Sequence, residues 1–514
     1  MLPDNLGHIF DVPLRLTPDE PAVFQDDTIL SFRALEARCN RMANALRGIG
    51  VCEGKRVALM FSNDYRFLES VFGPMRLGAV SVPLNIRMSD EALGYVLQDS
   101  EASVLIANRE MADRARQVAK DAPSLKNVIV DAQAGDGFLS YDEFLESQPE
   151  RVERRRTDPD EICMQPYTSG STGKPKGVLL THGGQIWNTD ILRKAFHADP
   201  SERALISVPL YHKNAMIGAV KPFLLAGGSL VILPGFDPLR VIEAIERYRV
   251  TYLTGVPAMY KMILAEREAL SRHDVSSIRY AVCGSAEVPE ELLEEFGRVF
   301  GAPMAESYGL TEGGPVPIVN SRWGLKKRGS CGVAFPGCDV KLVAEDGSTE
   351  VGPNEVGELA TRNPGLAKGY WKRPEATAER FRDGWLYTGD LMRRDEDGFY
   401  YFLGRQDDMI NVGGENVYPK EVEDVLLRHP QLKDACVVPV QHAVKGAVPV
   451  AFVVERTAGQ TSEEDVKVFF LDNGAAYAHP RHVFFLERLP LGGTGKLDRI
   501  ALRAMAEERV SSRE

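Results

Sequence analysis

The chain has 514 residues, 44% hydrophobic and 26% charged, with a formal net charge of −12. That length exceeds the ~100–200 residues usual for one domain, so at least two are expected, and the composition is globular rather than disordered. The acidic balance excludes a general nucleic-acid or anionic-membrane surface, so any bound anion must be held by local loops and placed cations.

Through the first 340 residues, helical and strand patterns alternate. A helix over Leu35–Leu46 leads through Gly48 and Gly50 into an apolar strand, Val57–Phe61. Further buried strands are expected at Val104–Ala107, Asn127–Val130, Ala204–Val208, Ser229–Leu233, Val250–Thr254 and Tyr280–Cys283, with helices such as Pro238–Tyr248 and Pro289–Phe300 between them. This alternation predicts an α/β architecture whose sheets are covered on both faces. From Gly329 the texture changes to Gly-, Pro- and Asp-rich segments. Asp346-Gly347, Asp383-Gly384 and Asp397-Gly398 read as turns between short antiparallel strands, a small barrel-like part. A last α+β unit from Asp407 is expected to hold a helix Pro419–Arg428, strands Ala435–Val440 and Val450–Val454, a helix Glu463–Asp472 and a terminal helix. The expected division is therefore 1–406 and 407–514.

Other features are bland. The Arg-rich stretch 151–156 is offset by Glu150, Glu153, Asp158 and Asp160 and reads as a solvated linker. Seven scattered cysteines without C-x-x-C spacing point to reduced thiols rather than disulfides or zinc. The N-terminus lacks the basic and apolar regions of a signal peptide, and no apolar run reaches membrane-spanning length, so a cytoplasmic protein is expected.

The most informative stretch is Tyr167–Thr181, YTSGSTGKPKGVLLT. Thr168, Ser169, Gly170, Ser171, Thr172 and Gly173 concentrate glycines and hydroxyls ahead of Lys176. Closely spaced glycines let backbone N–H groups turn towards one anion, hydroxyls add donors, and Lys176 suits a β- or γ-phosphate. Thr168 stands where a Walker A loop needs its first glycine, and the spacing also fails the dinucleotide pattern.

This stretch resembles the phosphate-loop signature of the adenylate-forming superfamily, which comprises acyl-CoA synthetases, peptide-synthetase adenylation domains and firefly luciferase. The resemblance extends in order from Phe32 to Arg499. Glu306–Glu312, ESYGLTE, is similar to the family's second signature. By that match Tyr308, with Ser307 and Gly309, borders adenine, Thr311 lies near the α-phosphate, and Glu312, with Thr168, helps hold magnesium. Tyr387–Asp390, YTGD, resembles the motif whose carboxylate, Asp390, takes the ribose hydroxyls, and Arg405 reaches the ribose or phosphate. Gly284, Ser285 and Ala286 match the segment bordering adenine and the acyl group. His212 stands at the family's aromatic gate.

Lys496, in Leu489–Arg499, matches the catalytic lysine. The first step brings a carboxylate against an anionic α-phosphate, and a cation between them offsets that repulsion by roughly 4 kcal/mol at 4 Å and an effective dielectric of about 20. Asp407 matches the hinge, with Gly413 and Gly414 lining the passage for the thiol. The resemblance thus implies an ATP-dependent carboxylate–CoA ligase using ATP, Mg2+, coenzyme A and a small carboxylic acid. A homodimer and a carrier-protein acceptor remain open.

Lys213 stands where the amino-acid-activating relatives place an aspartate to pair with their substrate's ammonium, which counts against that subfamily. Lys213 and Asn214 beside the gate hint at a polar or anionic acyl tail, with a solvent-facing Lys213 as the other reading. Ser171 in place of threonine keeps the hydroxyl, whereas Ala478 replaces a frequent lysine and removes a local cation.

Overall fold

The apolar runs of the first 340 residues are the strands of two large sheets in the structure, a computed structural model describing residues 2–131, 138–168, 174–284, 288–314, 316–320, 322, 324–412, 415–442, 446–491 and 497–513. One sheet has seven strands, and Arg56–Met60, Val80–Pro83, Ala102–Ala107 and Asn127–Val130 run parallel within it. The other has nine, with Arg203–Ile206, Ser229–Ile232, Tyr252–Gly255, Tyr280–Gly284 and Met304–Tyr308 parallel. These strands are buried along almost their whole length, the consequence of helices covering both faces.

The helices form where local chemistry starts them and apolar spacing gives them a face to bury. Phe32–Gly48 starts at Ser31, whose hydroxyl accepts from the Ala34 N–H at 3.2 Å, and it buries Leu35, Cys39, Met42, Ala43 and Leu46 on one stripe. Pro238–Tyr248 starts at Asp237, which accepts from the Arg240 N–H at 2.9 Å, with Pro238 in the first turn where no N–H is needed.

The chain divides into two compact units, residues 1–340 with 361–386, and 341–360 with 387–514. The turn-rich segments form a small sheet containing Asp339–Val343, Val356–Arg362, Trp385–Arg394 and Tyr400–Arg405, the last two paired antiparallel. Gly384 and Gly398 take φ of 78° and 85° at its turns, a conformation that favours glycine. In the second unit, Leu432–His442 pairs along its length with Gly446–Glu455. Alternate residues of this hairpin feed two separate cores. Val437, Ala451 and Val453 pack with Leu426 and Phe470, whereas Cys436, Val438, Val450 and Phe452 pack with Leu502 and Ala506. Helix Pro419–Leu427 also packs against strand Tyr400–Arg405. That is why compactness groups residues 387–406 with the C-terminal segment, whereas the motif-based division falls at Asp407.

Candidate functional site

Of the expected nucleotide residues of the first unit, Gly284, Ser307 and Tyr308 lie at the carboxyl ends of parallel strands, where open α/β sheets place their ligands. Strand Tyr280–Gly284 ends at Gly284, and Met304–Tyr308 ends at Ser307 and Tyr308. A Cβ on Gly284 would meet the Ser307 carbonyl and hydroxyl at 3.1 Å, so glycine lets the two strand ends close up.

Thr168 begins the phosphate loop on a two-residue strand that pairs with Lys176-Gly177. Its hydroxyl donates to Glu312 Oε1 at 3.2 Å, and the Tyr370 hydroxyl donates to the same oxygen at 3.2 Å. The Lys176 ammonium lies 5.5 Å from the centroid of the Tyr370 ring. Burial, reinforced by the Glu312 charge, pushes the Tyr370 phenol well above its usual pKa, so it remains a donor.

Glu312 itself is buried on a short 3-10 turn, Thr311–Gly313. Its backbone carbonyl accepts from the Ala367 N–H at 3.0 Å, and Asn363 Nδ2 donates to the Gly313 carbonyl at 2.9 Å. Gly314, at φ 81°, approaches Gly365 so closely that a Cβ would come within 2.3 Å of backbone. The acidic turn is therefore clamped to residues 363–371. A buried carboxylate grouped with hydroxyl oxygens and a neighbouring lysine fits Mg2+, a hard cation that completes its shell with water and phosphate oxygens.

Tyr370 and its neighbours had no motif to announce them. The segment also braces the phosphate-loop hairpin from the far side. Tyr167 donates to Asp99 Oδ2 at 2.7 Å, Arg373 donates to Asp99 Oδ1 at 2.8 Å, and the Trp371 indole N–H donates to the Asp99 carbonyl at 2.9 Å.

His212 caps the helical stretch that follows it, Nδ1 accepting from the Asn214 N–H at 3.2 Å. Asn214 Oδ1 accepts from the Thr254 hydroxyl at 2.7 Å. Lys213 lies on the same turn. Its ammonium donates to the Gly309 carbonyl and so ties the gate helix to the Tyr308–Thr311 loop.

Asp390 and Arg405 belong to the second unit and face each other across paired strands, with Nη1 3.1 Å from Oδ1. The Thr388 hydroxyl donates to the Leu359 carbonyl at 2.8 Å and accepts from the Asp390 N–H at 3.1 Å, which fixes the Thr-Gly-Asp segment within its strand. Asp407 is exposed on the 3-10 turn Gln406–Asp408.

Ser169, Gly170, Ser171, Thr172, Gly173, Ser285, Ala286, Gly413, Gly414 and Lys496 lie outside the described residues. The residues on either side of 492–496 are held in place. Leu491 and Leu497 form an antiparallel bridge, and the Asp498 N–H donates to the Pro490 carbonyl at 2.9 Å. Beyond it, Arg499 Nη2 donates to Glu423 Oε1 at 2.8 Å and Nη1 to the Val437 carbonyl at 2.8 Å.

The cysteines stand apart from this chemistry. All seven are free, and burial pushes the thiols of Cys39, Cys163 and Cys436 up to about 12, which suits packing rather than nucleophilic attack. No helix among the described residues is long and apolar enough to cross a membrane.

Comparison with known proteins agrees with this geometry. Residues 10–371 match the AMP-binding enzyme family, and residues 421–496 match the AMP-binding enzyme C-terminal domain. A feruloyl-CoA synthase of Amycolatopsis sp is 37% identical over 94% of this chain and 95% of its own length. A 2-succinylbenzoate–CoA ligase of Geobacillus kaustophilus is 34% identical, over 95% and 96%. Among solved structures, the anthranilate CoA ligase AuaEII in complex with anthranoyl-AMP superposes with a TM-score of 0.92 at 29% identity, covering 99% of this chain and 98% of that one. ATP-bound MatB from Rhodopseudomonas palustris gives 0.90 at 28%, covering 98% and 99%. Matched across both of its parts, the chain belongs to the AMP-binding enzyme family.

Proposed function

We propose that this AMP-binding enzyme is an ATP-dependent carboxylate–CoA ligase whose acid carries an aromatic ring. The observation that carries the reading is the buried Glu312 carboxylate joined to Thr168 of the phosphate loop, inside a chain matched by both family models. The aromatic class is supported by relatives described as feruloyl-CoA synthase, 3-hydroxybenzoate–CoA ligase and anthranilate CoA ligase.

In the first half-reaction, a carboxylate oxygen of the acid attacks the α-phosphorus of ATP, the bond to the bridging oxygen breaks, and pyrophosphate leaves. In the second, the thiol sulfur of CoA attacks the acyl carbon and loses its proton, and AMP leaves with the electron pair. Neither step needs a covalent enzyme intermediate. Lys176 holds the outer phosphates, Thr311 the α-phosphate region, and Lys496 offsets the repulsion between carboxylate and α-phosphate. Ser307, Tyr308 and Gly309 border adenine, and Asp390 with Arg405 holds the ribose. Mg2+, held by Glu312 with Thr168, would neutralise phosphate charge. In this reading the small domain begins at Asp407, whose turn serves as the hinge between the half-reactions, and Gly413 and Gly414 border the thiol's path. The enzyme works in the cytoplasm.

The test is AMP release from Mg-ATP across a panel of aromatic, short-chain and medium-chain acids, with and without CoA. CoA-dependent release concentrated on aryl acids is the expected outcome. Acyl-adenylate formed without CoA turnover would assign the acyl group to a different acceptor, and preference for aliphatic acids would overturn the aromatic class.

A further inference from the structure

Lys221 is a charged side chain that the two half-reactions leave unused. It lies in the helix Lys221–Ala226 and is 1% exposed. Its ammonium donates to Gln185 Oε1 at 2.6 Å, a neutral partner. An ammonium has three donors, so two stay without a partner among the described residues. Burial draws its pKa down to about 8, against a small opposing effect of the Cys163 thiol.

Two further buried polar atoms on the adjoining segments lack partners among the described residues. Asn188 lies three residues after Gln185 on helix His182–Ala195, hence on the same face, and this helix packs against the stretch Met216–Ala226. Asn188 is 1% exposed, and its Oδ1 makes no hydrogen bond among the described residues. The buried hydroxyl of Tyr211, next to the gate residue His212, is likewise unpartnered. Between Tyr211 and Lys221 the backbone passes through a π-helix, Met216–Val220, a rare form often found at functional sites. A pair that merely tied two helices together would need no buried charge, and it would leave Asn188 unexplained. At about 1.5 Å per residue, His212 and Lys221 stand about 13 Å apart along the stretch, a depth that suits an aryl acid rather than acetate.

We propose that Lys221, with Gln185 and Asn188, closes the far end of the acyl pocket and selects acids bearing a second hydrogen-bond-accepting oxygen, a carboxylate or a phenolic hydroxyl, remote from the reacting carboxylate. The assignment rests on the ligase reading and on the acyl group lying beside His212. A remote carboxylate pairs with the Lys221 charge. A remote hydroxyl accepts from Lys221 and donates to Asn188 Oδ1, which satisfies both groups.

The test uses the full-length enzyme with Mg-ATP, CoA and three matched acids: 3-phenylpropenoate, its 4-hydroxy form and its 4-carboxy form. The wild type is expected to favour one substituted acid over the unsubstituted one by at least tenfold in kcat/KM, and which one it favours identifies the oxygen. Lys221→Met is expected to bring that ratio within about twofold of one. Should that variant fail to fold, Asn188→Ala takes the same measurement and is expected to shrink the ratio at least threefold. Equal use of all three acids by the wild type, or an unchanged ratio in a folded variant, overturns the inference while leaving the ligase reading intact. No CoA-dependent AMP release from any aromatic or aliphatic acid would instead overturn the ligase reading and this inference with it.

Discussion

In the proposed function Glu312 is the carboxylate that meets a cation. Its hydroxyl partners, Thr168 and Tyr370, add no opposing charge, so its negative charge remains available to Mg2+. Glu312→Gln keeps the shape and an oxygen acceptor but removes that charge. It is expected to lower kcat/KM for Mg-ATP by about 10²-fold, on the scale of losing one charge-stabilising group. Thermal unfolding should move by only a few degrees, and a melting curve beside steady-state kinetics checks both. A variant with unimpaired use of ATP would remove Glu312 from the metal site.

His182 sets a limit on the acid side. The ring is fully buried, and its Nδ1 accepts the Leu6 N–H at 2.9 Å, a bond available only to the neutral imidazole. Burial lowers its pKa from 6.5 to about 4, and that of buried His8 to about 2, where Arg76 and Arg154 add to the effect. Below pH 6.5 the unfolded chain therefore binds protons that the folded chain refuses. Stability falls as pH drops from 6.5 towards 4, by up to about 1.4 kcal/mol per pH unit for each ring. His182→Asn, whose side-chain oxygen can accept the same N–H, is expected to lose less melting temperature than wild type between pH 7 and pH 5.5. Equal losses would show that His182 does not set the acid limit.

At the level of elements, the legible parts of the fold were those written in local pattern. The helix Pro238–Tyr248 runs over the residues its apolar spacing predicts. The strands Leu432–His442 and Gly446–Glu455 extend beyond the expected Ala435–Val440 and Val450–Val454. Once paired, the polar ends of the hairpin gain ladder hydrogen bonds that no apolar pattern marks. The motifs singled out Thr168 and Glu312, which share a hydrogen bond, and Asp390 and Arg405, which form an ion pair. Tyr370, Asp99 and Lys221 were illegible because each acquires its partner across 36 to 274 residues of chain, with no spacing rule to signal the contact.

The terminal helix Arg499–Ser511 is fixed through one such long-range pair. Its first residue, Arg499, bonds Glu423, a buried carboxylate that also accepts the Val437 N–H at 2.7 Å. Arg499→Met would strand that carboxylate. A loss of about 3–5 kcal/mol is expected, as for breaking other buried pairs from one side. Glu423→Gln with Arg499→Met should recover part of it, and denaturant melts of the single and double variants measure the coupling. Purely additive losses would show that the pair is not coupled.

For the whole molecule, the clusters containing Val437 and Phe452 draw all their buried residues from Ile410 onwards, whereas the three larger clusters draw theirs from residues before 371. Separate cores imply separate cooperative units. Calorimetry is expected to resolve two transitions, and Arg499→Met should lower only the one that belongs to the C-terminal cores. A single transition moving as a whole would show that the cores unfold together.

The bridge between Leu491 and Leu497 pins the chain on either side of residues 492–496. The length of that segment can change without disturbing either neighbouring core, since even doubling a flexible loop costs only about 0.6 kcal/mol in closure entropy. Reach is the property that does depend on length. One glycine inserted within residues 492–496 should therefore leave the melting temperature nearly unchanged while lowering acyl-adenylate formation by about 10²-fold. Thioester formation from supplied acyl-adenylate should persist. That outcome would mean that the fold tolerates an added residue which the proposed chemistry does not.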